Sequence, residues 1–269
     1  MDITEQGHAR IDTTVAHPAR RYNYWLGGKD HFAADRASGD AIAAAMPGVK
    51  LMAVENRAFM GRAVRYLAEQ GIRQFLDVGT GIPAPNNTHE IAQAVDPASR
   101  VVYVDNDPIV LTHARALLTS APGGANAYID ADLREPDKIL EHPDLAATLD
   151  LSRPVGLLLV AVLHFVREDE HPQAIVDRLT GALAPGSYLV ASHATWEFLP
   201  EETIAALTAN NPDGRFQPRS GARFAELLSG FELVEPGITS VAYWHADDVA
   251  GPRPSAEEVA CHGAVARIR

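Results

Sequence analysis

Cysteine is almost missing from this chain: Cys261 stands alone among 269 residues. That excludes an intrachain disulfide and any zinc site built on several thiolates. Long apolar runs are missing too. The longest lies near residues 155–163 and is far too short to cross a bilayer. The opening MDITEQGHAR has neither the basic start nor the apolar stretch of a signal peptide, so a cytoplasmic chain with no membrane partner is expected. Positive charge is scarce: 23 Lys and Arg face 35 Asp and Glu, for a formal net charge of −12. A nucleic-acid binder needs a basic patch to meet phosphates, and the one basic run here is Arg20-Arg21. No nucleic-acid partner is expected, and a small neutral or cationic substrate fits the charge better. Metal motifs are also lacking. His89, His113, His171 and His245 have no ligand spacing and no HExxH run occurs, so no metal is expected.

What is present is 46% hydrophobic content, ample for a core, in a length that suits one α/β domain with an extension or at most two small domains. The chain is organised around FLDVGTGIP, residues 75–83. A short apolar run broken by Asp77 leads straight into Gly79-Thr80-Gly81. A buried strand followed by a glycine turn is how an α/β sheet presents a ligand site at its carboxyl edge. Asn86-Asn87-Thr88 then offers capping side chains to a helix through Glu90, Ile91, Ala92 and Val95. A second apolar run, VVYVDNDP, ends in Asp105, where cofactor domains bind ribose hydroxyls. A third, AYIDADL, ends in Asp130 and Asp132. Three strand-end acids at nearly equal spacing point to one ligand edge.

These residues carry a resemblance. DVGTG, VDNDP and DADL resemble the first three motifs of class I S-adenosylmethionine-dependent methyltransferases. ARRYNYWLGGKDHFAADR, QFLDVGTGIP, VVYVDNDPIVLTHARALL, VAVLHFV and FELVEPGI together resemble a bacterial S-adenosyl methyltransferase family of unassigned substrate, from about Ala19 to the C-terminus. The resemblance implies a Rossmann-like doubly wound α/β sheet of about seven strands, the last antiparallel. Residues 1–72 would form an N-terminal helical extension or lid, and residues 73–269 the cofactor domain. It implies S-adenosylmethionine as cofactor and a small-molecule methyl acceptor, taking the methyl on oxygen or nitrogen. Asp77 would hold the methionine end through the loop of Gly79, Thr80 and Gly81. Asp105 would take the ribose, Asn106 would lie beside the adenine, and Asp132 would accept from its amine with Leu133 on the ring. His164 would sit next to the methionine moiety. One departure is Pro83 in place of a third glycine, followed by Pro85, which stiffens the loop.

Within the N-terminal block, Tyr22, Tyr24, Trp25 and Phe32 crowd around Gly27-Gly28. They suit either an aromatic cluster fixed in the core or a flap over the cofactor, with Arg20 and Tyr24 at its polar end and Arg20 reaching the cofactor carboxylate. His164 and His193 end apolar runs on the same edge and are the candidate general bases, His193 first. Helices are expected at 35–46, 51–69, 108–118, 174–183, 201–210 and 221–228. Strands are expected at 155–166, 187–193, 231–237 and 263–268, and residues 133–153 read as a helix-poor connection. Two rivals share parts of this pattern: a cofactor-binding protein without catalysis, and a nicotinamide-dependent oxidoreductase. The second expects G-x-G-x-x-G, where this chain continues with Ile82, Pro83 and Ala84.

Overall fold

A computed structural model describes residues 11–117, 120–211 and 213–269. Three helices precede the sheet: α1 (Pro18–Trp25), α2 (Ala33–Ala45) and α3 (Val49–Glu69). β1 (Gln74–Val78), α4 (Thr88–Val95), β2 (Arg100–Asp105), α5 (Pro108–Leu117) and β3 (Ala125–Asp130) then alternate. Two short helices, α6 (Pro136–Leu140) and α7 (Pro143–Thr148), lead into β4 (Gly156–Leu159). After it come α8 (Pro172–Thr180), β5 (Tyr188–Ala194), α9 (Glu201–Ala209), α10 (Gly221–Leu227), β6 (Glu232–Leu233), β7 (Thr239–Ser240), α11 (Ala256–Val259) and β8 (Cys261–Arg267).

The sheet order is β3-β2-β1-β4-β5-β8-β6, with β7 also on β8. The first five strands run parallel and β8 runs antiparallel to β5. The order reverses between β1 and β4, which puts a topological switch point above Asp77 and Leu158, paired in register. Alternate residues of each strand feed two cores, as a sheet covered on both faces requires. Leu76, Val78, Val102, Val104, Leu157 and Leu159 enter one; Phe75, Val101, Tyr103, Leu158 and Val190 enter the other. Phe59, Met60, Ala63, Val64 and Leu67 of α3 belong to that second core, so α3 packs as part of the sheet domain although it precedes residue 73.

Three expected elements differ. The run 155–166 is strand only over Gly156–Leu159. Ala161 then turns with φ +55, and a 3-10 turn at Leu163–Phe165 keeps Leu163 and Val166 buried off the sheet. Apolar residues stay inward there because the core continues beyond the strand end. The expected strand 231–237 shrinks to the two residues of β6, and Thr239–Ser240 adds a further short one. The 133–153 connection contains α6 and α7, each started by a proline at its first position, where the missing N–H costs nothing. No described helix is long and apolar enough to cross a membrane.

Candidate functional site

The site is built at the carboxyl ends of β1 and β2. Gly79 and Gly81 both adopt left-handed backbone, φ +75 and +70. At Gly79 a Cβ would run into Val162, so that glycine serves the close approach of the turn after β4. At Gly81 a Cβ would meet nothing within 4 Å, which leaves the loop's outer side open to a ligand. Gly79 and Thr80 donate their N–H groups to Val104 O at 2.8 and 3.2 Å, fastening the turn to β2.

Asp105 is 6% exposed. Its two oxygens accept from Gly81 N–H at 2.8 Å and Asp107 N–H at 2.9 Å. Burial pushes its carboxyl pKa up, against the pull of those two bonds. Each oxygen keeps an acceptor position, which is what a vicinal diol needs. Asp77 is buried beneath the loop and accepts from Thr88 Oγ1 at 2.6 Å and Thr80 Oγ1 at 3.5 Å. Burial pushes its carboxyl up to about 6. A carboxyl raised above its unfolded value stabilises the fold below pH 4, and that contribution is lost as pH rises through 6. The difference is about 3 kcal/mol by linkage. We therefore expect Asp77→Asn, which still accepts from Thr88, to melt higher than the parent at pH 7.5 and to lose the drop in melting temperature between pH 4 and 6. A lower melting temperature at pH 7.5 would show the ionised carboxylate to be structurally required.

Five expectations change on contact with the geometry. Asp132 accepts from Arg134 N–H, Nε and Nη2 at 2.9, 2.8 and 2.5 Å and from Asn106 Nδ2 at 2.8 Å. Burial opposes its charge, but the Arg134 bonds hold its pKa down to about 2. Four bonds fill the acceptor positions of a carboxylate, so an adenine amine would have to displace Arg134 or Asn106. Leu133, expected on the ring, is 6% exposed and packed into the first core. Arg20, expected at the cofactor carboxylate, has its donors taken up within the protein, Nη1 by Asp12 O at 2.8 Å. It grips Asp107 through Nε at 2.9 Å and Nη2 at 3.1 Å, with His17 Nδ1 3.0 Å from the same acid. Tyr24 turns to α2, its hydroxyl on Asp40 at 2.7 Å and its ring edge-on to His31.

The histidines are the fifth. His193 is fully buried: its Nδ1–H donates to Ala194 O at 2.9 Å and its Nε2 accepts from Arg219 Nη1 at 3.0 Å. Burial pushes its pKa down to about 4, and both nitrogens are committed. His164 lies in the 3-10 turn, with Nδ1 accepting from Ala194 N–H at 3.4 Å. Burial pushes its pKa well down, and this tautomer presents a donor rather than a base.

Three arginines escape sequence reasoning. Arg57 on α3 donates to Ala84 O, Asn86 O and Asn87 Oδ1 at 3.3, 3.1 and 3.1 Å, under the glycine loop, and its Nε is buried without a partner. Arg219 ties Leu163 O, Val166 O and His193 together at 3.0, 2.8 and 3.0 Å. Arg134 is the third. None has a local motif; the one signal was Arg134's position two residues past Asp132. Among the described residues no group of three or more His, Cys, Asp or Glu is placed to hold a metal.

Residues 4–269 match the family model described as S-adenosyl methyltransferase. A DUF574 family protein from Streptomyces avermitilis is 47% identical over 97% of this chain and 100% of its own, with a TM-score of 0.89. A candidate methyltransferase from Thermobifida fusca is 41% identical over 96% of this chain and 97% of its own, with a TM-score of 0.84. No curated protein matches the chain.

Proposed function

The chain belongs to the S-adenosyl methyltransferase family, and from that premise we propose that it methylates a small molecule held over the carboxyl ends of β4 and β5. S-adenosylmethionine is the cofactor and methyl transfer the reaction. The observation that carries the site reading is Asp105, fixed by Gly81 and Asp107 N–H groups beside an open glycine turn at the switch point. In this reading Asp105 receives the ribose diol. Arg57, rather than Arg20, faces the cofactor carboxylate, because its Nε still lacks a partner while Arg20 is spent on Asp107. Asn106 borders the adenine and Asp77 braces the loop through Thr88. When bound, the cofactor supplies a methyl already activated by its sulfonium. The chain's work is to hold the acceptor in line and keep water out. Support for a small acceptor comes from the partly exposed rings of Phe165, Trp196 and Phe216 around His164 and from the lack of a basic patch.

Mass action tests the cofactor reading. At a hundredfold excess over its Kd, S-adenosylhomocysteine should add about 2.7 kcal/mol to stability and raise the melting temperature, whereas NAD should not. A shift with NAD alone would return the oxidoreductase reading. The buried state of His193 makes a second expectation. His193→Gln, whose Oε1 can still accept from Arg219, should leave the pH dependence of S-adenosylhomocysteine release unchanged across an acceptor panel. Loss of an ionisation from that profile would restore His193 as the base.

A further inference from the structure

Two histidines stand at the carboxyl edge of β4 and β5, held in opposite tautomers. His193 keeps its proton on Nδ1, which donates to Ala194 O at 2.9 Å, and its Nε2 accepts from Arg219 Nη1 at 3.0 Å. His164 is the reverse. The Ala194 N–H donates to its Nδ1 at 3.4 Å, so Nδ1 is an acceptor and the proton sits on Nε2. A second proton is opposed first by burial, then by His193 and Arg219. The backbone here is held as firmly. His164 O accepts from Gln217 N–H at 2.7 Å, and the carbonyls of Leu163 and Val166 accept from Arg219 at 3.0 and 2.8 Å. The Nε2–H of His164 has no hydrogen-bond partner among the described residues, yet it is not one of the buried polar atoms stranded without one. It therefore opens on space that water or a ligand can enter.

The neighbours of His164 say what that space takes. Val162, two residues earlier, is the side chain a Cβ on Gly79 would strike, so the turn carrying His164 lies against the glycine loop. The His164 ring touches two partly exposed rings, Phe165 at 4.6 Å and Phe216 at 4.9 Å between centres, and Trp196 is 6.1 Å from Phe216. Small-molecule sites are commonly built this way, with flat apolar walls and a few polar groups that fix orientation. The imidazole is neutral and brings no charge. The nearby cation, Arg219, already faces Glu168 at 2.6 Å. A carboxylate placed here would be a buried charge without a counterion. We propose that His164 Nε2–H donates to a carbonyl oxygen or ring nitrogen of a flat, uncharged methyl acceptor lying against Phe165 and Phe216. His164 is then the residue that sets which way round the acceptor binds. A molecule lacking that oxygen or nitrogen leaves the N–H unpaired, the mismatch by which a polar site rejects an apolar analogue. This rests on the methyl-transfer reading above and adds to it the chemical class of the acceptor.

The test uses the full chain saturated with S-adenosylhomocysteine at pH 7. Three pairs are titrated calorimetrically: 4-hydroxyacetophenone against 4-ethylphenol, indole-3-carboxaldehyde against 3-methylindole, and quinoline against naphthalene. In at least one pair the first member should bind roughly tenfold or more tightly. His164→Phe should erase that preference. His164→Gln should keep it, because its Oε1 can accept from Ala194 N–H while its Nε2 still donates. Pairs that bind equally or not at all overturn the proposal, as does a preference that survives in His164→Phe or is lost in His164→Gln. A tenfold loss of S-adenosylhomocysteine affinity in His164→Phe, with 5′-methylthioadenosine unaffected, also overturns it, by giving the N–H to the cofactor's methionine end. A measurement on the parent chain stands even where a variant fails to fold. With nitrogen-15 in the histidines, His164 should show a neutral Nε2–H ring from pH 5.5 to 8, and that proton should shift with the first member of the pair only. A ring that titrates in this range, or carries its proton on Nδ1, overturns the proposal. A parent chain that binds no S-adenosylhomocysteine sinks the cofactor reading itself, and this proposal with it.

Discussion

Asp105→Ala should lower the affinity for S-adenosylhomocysteine by roughly two to four orders of magnitude while the chain stays folded. Two hydrogen bonds from a ribose to an ionised acceptor contribute about 1.5–3 kcal/mol each, and each 1.4 kcal/mol is a factor of ten. The substitution also leaves the Gly81 and Asp107 N–H groups without their acceptor. That costs about 1–3 kcal/mol per orphaned donor and loosens the turn on which the ligand would rest. Part of the affinity loss would then be indirect. Asp105→Asn separates the two contributions. Its carbonyl can satisfy one of the two N–H groups, but its amide nitrogen faces the other, so it should fall between parent and alanine. Calorimetric titration of the three proteins, with circular dichroism to establish folding, measures the ladder. An unchanged Kd in Asp105→Ala would move the ribose contact off β2 altogether.

The strand-and-glycine skeleton of this site was legible because it is local. Gln74–Val78 and Arg100–Asp105 are apolar runs whose last polar residue marks the sheet edge, and Asp107 with Pro108 announces the next helix. Asp107 Oδ1 accepts from Ile109 N–H at 3.0 Å, as an N-cap should. The Asn87 N-cap closes likewise, its N–H on Glu90 Oε2 at 2.7 Å. Reading failed where two structures share one pattern. The run 155–166 is apolar throughout, and hydrophobicity alone does not say that the chain leaves the sheet near Ala161 and continues as a buried turn. It failed again where long side chains decide. Arg219 reaches His193 across 26 residues and Arg20 reaches Asp107 across 87. No period or motif encodes such pairs. Yet they decide which acids and histidines are free to touch a ligand. Asp132 and His193 looked available from their strand-end positions and are the residues whose capacity is already filled.

Breaking the Arg20–Asp107 pair should cost about 3–5 kcal/mol, since removing one partner of a buried pair strands the other. Arg20 and Asp107 have side-chain exposures of 5% and 0%, so neither can turn to water. Asp107→Asn is the informative variant, because its amide oxygen can keep the cap on Ile109 while the charge is lost. For a chain of this size, that destabilisation corresponds to a drop in melting temperature on the order of 10 °C. Pairing it with Arg20→Met should recover much of the loss, the mark of a coupled pair in a double-mutant cycle. The acid response gives an independent reading. Burial would raise the Asp107 carboxyl, but hydrogen bonds from His17 and Arg20 hold it well below the usual carboxylate range. Its stabilisation is therefore present above pH 4 and is lost as pH falls below that, and Asp107→Asn should lack this acid-labile component. The same pair bears on whether the N-terminal block moves. A lid should exchange its amide hydrogens quickly until S-adenosylhomocysteine binds, whereas a fixed wall is slow in both states. Arg20 on Asp107, Tyr22 Oη donating to Ala53 O at 2.9 Å and Asn56 Nδ2 donating to Tyr22 Oη at 2.9 Å fasten α1 to β2 and α3. These bonds favour the wall. We expect α1 amides to be slow in the free parent and fast in Asp107→Asn. Fast exchange in the free parent, suppressed by S-adenosylhomocysteine, would make the block a lid whose closed form is the one described here.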